Sequence, residues 1–269
     1  GRRLRVTGVK MILLVDGLNM FMRHYVANPT MTNNGDPAGG VVGFLRGIGN
    51  LCRQFNPKEV HIFWEGGGSL RRRAIYKDYK QGRKPQKFNR YYEDDIPDTS
   101  SNRIGQVAFL TKSMRNLPVY QHYIKDCEAD DVIGYCARYK FKNNEIMIVS
   151  SDKDFLQLIT NQVIIYRPME KKYYTEEVFI SKYKMHPKNF ILHKTLLGDQ
   201  SDKIKGIKGL GEKGLLKKFP ELKEKIITFQ DLLNICETKL KDHVIYARVL
   251  LNVRDLEKNY KVMDLSNPM

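Results

Sequence analysis

Three short apolar runs, each followed by acidic residues, constrain the fold of this chain more than any other feature. They are residues 12–15 before Asp16, residues 61–64 before Glu65, and residues 146–149 shortly before Asp152 and Asp154. Short apolar runs that contain β-branched residues indicate buried strands. In an open parallel sheet, ligands bind at the carboxyl ends of the strands. The pattern predicts an α/β fold whose mostly parallel central sheet, flanked by helices, carries acids along one edge.

The acids at the strand ends predict a metal site. If the three runs are neighbours in one sheet, Asp16, Glu65, Asp152 and Asp154 lie at the same edge. Clustered carboxylates repel one another, and their ionised state is costly unless cations neutralise it. We therefore expect divalent metal there. The alternative for Ser151-Asp152 is an ordinary helix N-cap, for which these residue types are also typical.

The charge of the chain predicts a polyanionic partner. Its 46 lysines and arginines against 30 acids give a net charge of +16. A basic surface would hold a phosphate backbone, while the acids would hold metals that act on it. The alternative is a lysine-rich composition that reflects only the source organism.

Length and cysteine content set the broad class. The 269 residues suffice for one large domain or two smaller ones. We find no membrane-spanning or secretory pattern, and we expect residues 1–10 to be a tag or vector remnant before a natural start at Met11. The four cysteines lack zinc-binding spacing, which predicts a reducing compartment.

A basic segment follows Glu65. Residues 71–90 contain nine basic residues and one acid, with tyrosines between them. Basic side chains hold phosphates and aromatic rings stack on unpaired bases, so residues 71–98 resemble a single-strand contact segment. The alternative is a solvated, partly disordered loop. The candidate DNA contacts in this segment are Arg71, Arg72, Arg73, Lys77, Tyr79 and Lys84.

Two further acid groups occur later in the chain. Glu128, Asp130 and Asp131 fall in the first turn of a predicted helix, where the helix dipole alone would favour acids. Three acids in four residues exceed what a cap needs, which favours metal ligation. Asp199 and Asp202 lie beside a glycine and would complete a second metal site, although alone they indicate an Asx-turn.

A glycine motif lies near residue 210. Gly209, Gly211 and Gly214 match a dinucleotide-binding spacing, but no apolar strand precedes them. We interpret the segment as a helix–hairpin–helix, in which glycines let the backbone approach phosphates. Such a hairpin contacts duplex backbone without reading sequence. Three lysines add charge to it: Lys205, Lys208 and Lys213.

Six motifs occur in a fixed order. They are Val15-Asp16-Gly17-x-Asn19, Tyr79-Lys80-x-Gly82-Arg83, Glu128-Ala129-Asp130-Asp131, Ser151-Asp152-x-Asp154, Gly198-Asp199-x-x-Asp202 and Gly206-Ile207-x-Gly209-Leu210-Gly211. In this order they resemble the 5′-nuclease (flap endonuclease) family, which includes bacteriophage 5′–3′ exonucleases and the 5′-nuclease domain of bacterial DNA polymerase I. The resemblance extends over nearly the whole chain from Met11. The compact size is more similar to a stand-alone phage or bacterial enzyme.

The resemblance implies an architecture and a location. It implies a PIN-like nuclease domain over residues 11–187, with a helical arch within residues 71–98 above the active site. A helix–hairpin–helix domain over residues 188–269 would grip duplex DNA. It also implies a monomer without membrane contact, in the cytoplasm of a bacterium or a phage-infected cell.

The resemblance also implies an activity. Enzymes of the family hydrolyse DNA phosphodiesters at 5′ flaps, single-strand/double-strand junctions and 5′ ends, with two Mg²⁺ ions that Mn²⁺ can replace. RNA primers in RNA–DNA hybrids are a further substrate class, and replication proteins are expected partners. One metal would activate the attacking water, and both would stabilise charge on the phosphate.

Residue roles follow from the same resemblance. The first metal would be held by Asp16, Glu65, Glu128 and Asp130. The second would be held by Asp131, Asp152, Asp154, Asp199 and Asp202. Basic residues that contact the scissile phosphate would be Lys80, Arg83 and Arg23, and backbone carbonyls near Ile207 and Leu210 would hold K⁺. The family usually has Asp where this chain has Glu65, which puts the metal preference in question.

Two other functions fit parts of the pattern. A metal-dependent endoribonuclease would share the acidic sheet edge, but the hairpin motif favours duplex DNA. A non-catalytic junction-binding protein would share the basic surface. The complete set of carboxylates argues against it, because a binding module gains nothing from acids that face a phosphate backbone.

Overall fold

The computed structural model describes residues 11–81 and 100–267. These residues divide into two compact units. The first unit comprises residues 11–68, 100–152 and 166–172, and the second comprises residues 69–81, 153–165 and 173–267. Within these described ranges, no helix has both the length and the apolar character that a membrane crossing needs.

Strands and helices are interspersed through the first two thirds of the described chain. They are β1 (Ile12–Asp16), α1 (Gly17–Ala27), α2 (Gly39–Phe55), β2 (Glu59–Trp64), α3 (Leu70–Ile75), α4 (Ser100–Ser113), β3 (Tyr120–Tyr123), α5 (Ala129–Tyr135), β4 (Ile146–Val149), β5 (Val163–Arg167), β6 (Lys172–Tyr174) and α6 (Glu176–Tyr183). A 3₁₀ turn at Met114–Asn116 extends α4, and a π-helical turn at Cys136–Lys140 extends α5.

The remaining elements are short helices and a small hairpin. They are α7 (Phe190–Leu197), β7 (Gly198–Asp199), β8 (Ile204–Lys205), α8 (Glu212–Lys218), α9 (Glu221–Glu224), α10 (Phe229–Thr238), α11 (Val244–Leu251) and α12 (Val253–Met263). The strands β7 and β8 pair in the antiparallel direction.

The central sheet has the order β3-β2-β1-β4-β5-β6. Strand β1 pairs in parallel with β2 on one side and with β4 on the other, and β2 pairs in parallel with β3. Every residue of β1 and β4 is buried, which explains why both are continuous apolar runs rather than alternating ones. The prediction that the three apolar runs are neighbouring parallel strands is confirmed.

The helices of the first unit are held at their ends by identifiable groups. The helix α2 ends at Asn56, whose backbone is left-handed with φ 45°, and Pro57 follows. Both residue types are typical of helix C-termini. At the start of α2 no side chain of its own caps the helix. The Gln106 side-chain oxygen of α4 accepts the N–H groups of Gly40 at 3.0 Å and Val41 at 3.3 Å instead.

The second unit contains a small core around its C-terminal helix. Its buried members are Tyr79, Ile191, Ile204, Val262 and Met263. Asn259 is fully buried, and its amide donates to the carbonyls of Lys205 at 2.7 Å and Thr195 at 3.3 Å. Its side-chain oxygen accepts the hydroxyl of Tyr76. Asn259 therefore joins α12, α7 and the residues after α3.

Two residues that the sequence predicted as DNA contacts are buried in the second unit, Tyr79 in this core and Arg72 against it. Arg72 is 2% exposed and Tyr79 is 8% exposed. The Arg72 Nε–H donates to the carbonyl of Val262 at 2.9 Å, and its guanidinium lies over the Tyr79 ring at 5.7 Å. Burial gives both side chains a structural role that composition does not show, while their role as DNA contacts stays a prediction.

Candidate active site

Asp16 joins the end of β1 to the start of α1. It is the last residue of the strand and the N-cap of the helix, and its carboxylate accepts the N–H of Asn19 at 3.2 Å. The Ser150 hydroxyl donates to its second oxygen at 3.0 Å. The Asn19 side-chain oxygen accepts the N–H of Ser151 at 3.0 Å. The ends of β1 and β4 are therefore linked by side chains as well as by the sheet.

Burial and neighbouring acids disfavour the ionised form of Asp16. The pKa of Asp16 is raised to about 7, chiefly by burial and also by the nearby charges of Asp152 and Asp130, although the hydrogen bonds from Asn19 and Ser150 lower it. The structure thus brings these three carboxylates into electrostatic contact. A bound cation favours the ionised form and offsets both desolvation and repulsion.

The acids before and within α5 are placed against the sheet. This helix packs on β1 and β2. Glu128 and Asp131 are buried, whereas Asp130 is half-buried. Glu128 is the N-cap residue but its side chain does not cap the helix. The helix dipole explains acids in a first turn, but it does not explain why Glu128 and Asp131 are buried.

Glu65 follows β2 directly and is half-buried. The pairing of β1 with β2 places Phe63 opposite Asp16, so Glu65 lies two residues beyond that position. Glu65 also contributes to the wall of a cavity of about 460 Å³. The extra methylene of glutamate relative to aspartate lets the carboxylate extend further from the strand end.

Three acids of the second unit form a cluster. One oxygen from each of Asp154, Asp199 and Asp202 lies within 4.8 Å of the others. Asp154 belongs to a 3₁₀ turn at Lys153–Leu158, and Asp199 belongs to β7. One Asp199 oxygen accepts the Ser201 N–H at 2.8 Å and the Ser201 hydroxyl at 2.6 Å. The Asx-turn expected from the sequence is therefore present together with the acid cluster.

Lys194 on α7 is a site residue that the sequence did not indicate. Its ammonium donates to Asp199 at 3.2 Å and also to Asp154. Burial by itself would raise the pKa of Asp199, but hydrogen bonds from Ser201 and the charge of Lys194 outweigh it and lower the pKa below its usual value. The available signal was a lysine within a buried apolar helix, five residues before Asp199.

The donor set fits hard divalent cations. All nine predicted ligands offer carboxylate oxygens, which Mg²⁺ and Mn²⁺ prefer over nitrogen or sulfur. Six belong to the first unit: Asp16, Glu65, Glu128, Asp130, Asp131 and Asp152. Three belong to the second: Asp154, Asp199 and Asp202. The acid cluster of the second unit already holds one cationic group, the Lys194 ammonium.

The predicted phosphate contacts have distinct environments. Arg23 is half-buried on α1, and Lys80 has a left-handed backbone with φ 56° and its amine over the Tyr79 ring at 5.1 Å. Arg73 and Lys77 are exposed. Arg71 is half-buried and donates to the carbonyl of Lys261 at 2.7 Å. The predictions for Arg83 and Lys84, and most of the arch, lie outside the described residues.

The glycine hairpin presents its basic residues to solvent. Its exposed members are Lys205, Lys208, Gly209, Gly211 and Lys213. Gly209 has φ 85°, a conformation that glycine adopts without strain. Ile207 and Leu210 are buried, and the Leu210 N–H donates to the Ile207 carbonyl at 3.1 Å. Arg248 donates to the carbonyl of Lys208 at 2.8 Å, which holds the turn against α11.

A parallel sheet with carboxylates at its strand ends, on a strongly basic chain, defines a metal-dependent enzyme that acts on phosphodiesters. The family model for the 5′-3′ exonuclease N-terminal resolvase-like domain matches residues 11–184. The chain belongs to this family, and it is a nuclease.

Individual relatives agree with this assignment. The chain is 28% identical over 264 residues to a 5′-3′ exonuclease of Aquifex aeolicus, covering 96% of this chain and 82% of the relative. It is 33% identical over 223 residues to the flap endonuclease Xni of Shewanella piezotolerans, covering 78% of this chain and 77% of the relative. The crystal structure of the T5 D15 protein with metal ions has the same fold, with a TM-score of 0.74 at 18% identity over 95% of this chain and 89% of that chain.

Proposed function

We propose that the protein is a structure-specific 5′ nuclease that hydrolyses DNA phosphodiesters at 5′ flaps, junctions and 5′ ends. The observation that carries the proposal is the cluster of Asp154, Asp199 and Asp202, whose oxygens lie within 4.8 Å of one another. Relatives named 5′-3′ exonuclease and flap endonuclease support it. So does the T5 D15 flap endonuclease, whose structure was solved with DNA and metal ions and shares the fold.

Two divalent cations, Mg²⁺ or Mn²⁺, complete the proposed site. The first is assigned to Asp16, Glu65, Glu128 and Asp130, and the second to Asp131, Asp152, Asp154, Asp199 and Asp202. When bound, such ions lower the pKa of water and stabilise charge on phosphate oxygens. The chain itself orients Asp16 through Asn19 and Ser150. Lys194 partly neutralises the acids of the second unit.

Basic groups hold the DNA in this proposal. Arg23, Lys80 and Arg83 contact the scissile phosphate and add electrostatic stabilisation of the transition state. Arg71, Arg73, Lys77 and Lys84 hold the single strand. The hairpin residues Lys205, Lys208, Gly209, Gly211 and Lys213 hold duplex backbone, and their exposure supports this role. We assign K⁺ to carbonyls near Ile207 and Leu210.

Product sizing on three substrates tests the proposal. A 5′-flap DNA, a nicked duplex and an RNA–DNA hybrid are incubated with Mg²⁺, and single-stranded RNA serves as the comparison. We expect cleavage near the flap junction and weak or no cleavage of the RNA. Preferred cleavage of RNA would instead indicate an endoribonuclease, and no cleavage with Mg²⁺ or Mn²⁺ would indicate a binding protein.

Variants assign the site within the same assay. Asp152→Asn and Asp154→Asn should each abolish cleavage while junction binding in Ca²⁺ is largely retained. The exposed Asp242→Asn is the matched control, because it removes one acid far from the predicted ligands in the sequence and should keep full activity. Full activity in both site variants would contradict the ligand assignment.

A further inference from the structure

A cavity of about 460 Å³ lies beside Glu65 in the first unit. Its walls come from the start of α1, the end of β2, the middle of α4 and the strand β3. The volume lies in the range of pockets that bind small organic groups. Among the residues that line this cavity, Glu65 is the one with a role in the proposed function.

One wall is a fixed aromatic surface. The Trp64 indole stacks on Phe44 with ring centroids 5.7 Å apart, and its N–H donates to the Gln121 side-chain oxygen at 3.0 Å. The Gln121 amide in turn donates to the carbonyl of Thr111 at 2.9 Å. These bonds engage the indole N–H of Trp64 and both ends of the Gln121 amide. The lining as a whole is mostly apolar and aromatic.

His122 adds a neutral ring to the lining. Its Nε2 lies 2.8 Å from His61 Nδ1, so one ring nitrogen is already engaged. Burial, together with the charges of His61 and Lys140, lowers the pKa of His122 to about 4. At neutral pH the ring is uncharged and offers a flat surface. Such a surface suits a nucleobase better than it suits a charged ligand.

The rim of the cavity carries a positive charge and an exposed aromatic ring. Arg115 is exposed, and Tyr123 is 62% exposed although its ring lines the opening. A guanidinium binds phosphate, and a tyrosine ring stacks on bases. Glu65, a proposed metal ligand, contributes to the same lining. The lining therefore combines a ring that can stack on a base, a guanidinium that can bind phosphate and a proposed metal ligand.

We propose that this cavity binds the base of an unpaired nucleotide of the DNA strand that is cut, close to the scissile phosphate. Arg115 contacts the backbone of that nucleotide. Because the lining is mostly apolar and aromatic, the base is held by stacking, and its identity is not read. The inference rests on the proposed function, since it assigns a subsite to the same reaction.

Abasic substitution locates the nucleotide. An abasic residue is placed in turn at the first, second and third unpaired positions of a 5′ flap. At one of them we expect kcat/KM of the wild-type protein to fall about 5- to 20-fold, the loss of a single base-stacking contact. Exchanging the four natural bases at that position should change kcat/KM less than about threefold.

A variant that fills the cavity, compared with a control on the same helix, distinguishes loss of the subsite from a general effect on folding. Val107→Trp places a large ring into the lining, and it should lower kcat/KM for the natural flap while removing the abasic effect. Phe109→Trp is the matched control, because Phe109 lies on the same helix, is 62% exposed and is not part of the lining. Tyr123→Ala, a change at the rim, provides a second variant with little risk to folding.

A fluorescence readout tests binding without catalysis. With 2-aminopurine at the sensitive position and Ca²⁺ in place of Mg²⁺, binding should quench emission in the wild type and in Phe109→Trp. The quench should be weaker in Val107→Trp and Tyr123→Ala. Equal quenching in all four proteins, or an abasic effect at no position, would overturn the subsite. If the wild type cleaves no DNA, the proposed function fails. The fluorescence quench still tests whether the base binds in the cavity.

Discussion

The Ser150 hydroxyl donates a hydrogen bond of 3.0 Å to the carboxylate of Asp16. It joins the residue after β4 to the last residue of β1, two neighbouring parallel strands. The same hydroxyl oxygen accepts the N–H of Asp152 at 3.1 Å. Two predicted metal ligands are therefore positioned by one side chain that would itself contact no metal.

Ser150→Ala should weaken metal binding more than it weakens folding. Loss of the hydroxyl removes both hydrogen bonds, and groups that orient metal ligands typically change metal affinity or activity by about 10- to 100-fold. A Mg²⁺ titration of flap cleavage measures the effect. Ser151→Ala is the matched control, because the Ser151 hydroxyl accepts only a long 3.4 Å contact from the Met169 N–H in this structure. Identical Mg²⁺ curves for the two variants would contradict the positioning role.

Lys194→Met should destabilise the metal-free protein. The lysine is buried beside Asp154 and Asp199, and removing one partner of a buried ion pair costs about 3 kcal/mol. Mg²⁺ should restore much of this loss, because the acids then regain a cation. Thermal unfolding in EDTA measures the loss of stability, and thermal unfolding in Mg²⁺ measures how much of it is restored. The exposed Lys188→Met is the control, and an equal Mg²⁺ response in the two variants would argue against the counter-ion role.

Alanine variants of Arg72 and Arg73 should distinguish an effect on stability from an effect on DNA binding. Arg72→Ala leaves the buried carbonyl of Val262 without its donor and opens a gap in the core, so we expect a loss of about 2 kcal/mol or more in the free energy of unfolding. Arg73→Ala changes an exposed side chain and should leave stability nearly unchanged while weakening single-strand binding. Urea unfolding and a binding titration distinguish the two. Weaker binding in a fully stable Arg72→Ala protein would contradict its assignment to the core.

The paired rings of His61 and His122, whose nitrogens lie 2.8 Å apart, predict acid sensitivity. Burial is the largest cause that lowers the pKa of both, and that of His122 falls from 6.5 to about 4. As the pH falls, these histidines take up protons in the unfolded chain at a higher pH than in the folded protein. The stability that they contribute is therefore fully present above pH 6.5 and is lost as the pH falls toward 4. Since His122 is only half-buried, we expect about 1 kcal/mol from it.

Urea unfolding at several pH values checks this expectation. His122→Gln should reduce the slope of stability against pH between 6.5 and 4, because the glutamine takes up no proton. His186→Gln provides a control at a partly exposed position in the second unit. An unchanged slope in His122→Gln, with the control also unchanged, would show that other groups cause the acid sensitivity.

The sequence by itself determined the sheet and the family. Residues 12–15, 61–64 and 146–149 are largely apolar runs because parallel strands are buried on both faces. The structure confirms that they are neighbours in one sheet and gives their order as β2-β1-β4. The ordered motifs predicted the family, and the match of the family model to residues 11–184 confirms it. The roles of the individual ligands stay predictions.

Only the tertiary structure decided which polar side chains turn inward. Arg72 and Arg73 are adjacent and chemically identical, yet one is buried and the other exposed. Lys194 meets Asp154 across 40 positions of sequence, and Ser150 meets Asp16 across 134. Local patterns report the periodicity of burial, but a hydrogen bond between distant residues depends on how the strands and helices pack. The acids could therefore be found from the sequence, whereas the groups that hold and neutralise them could not.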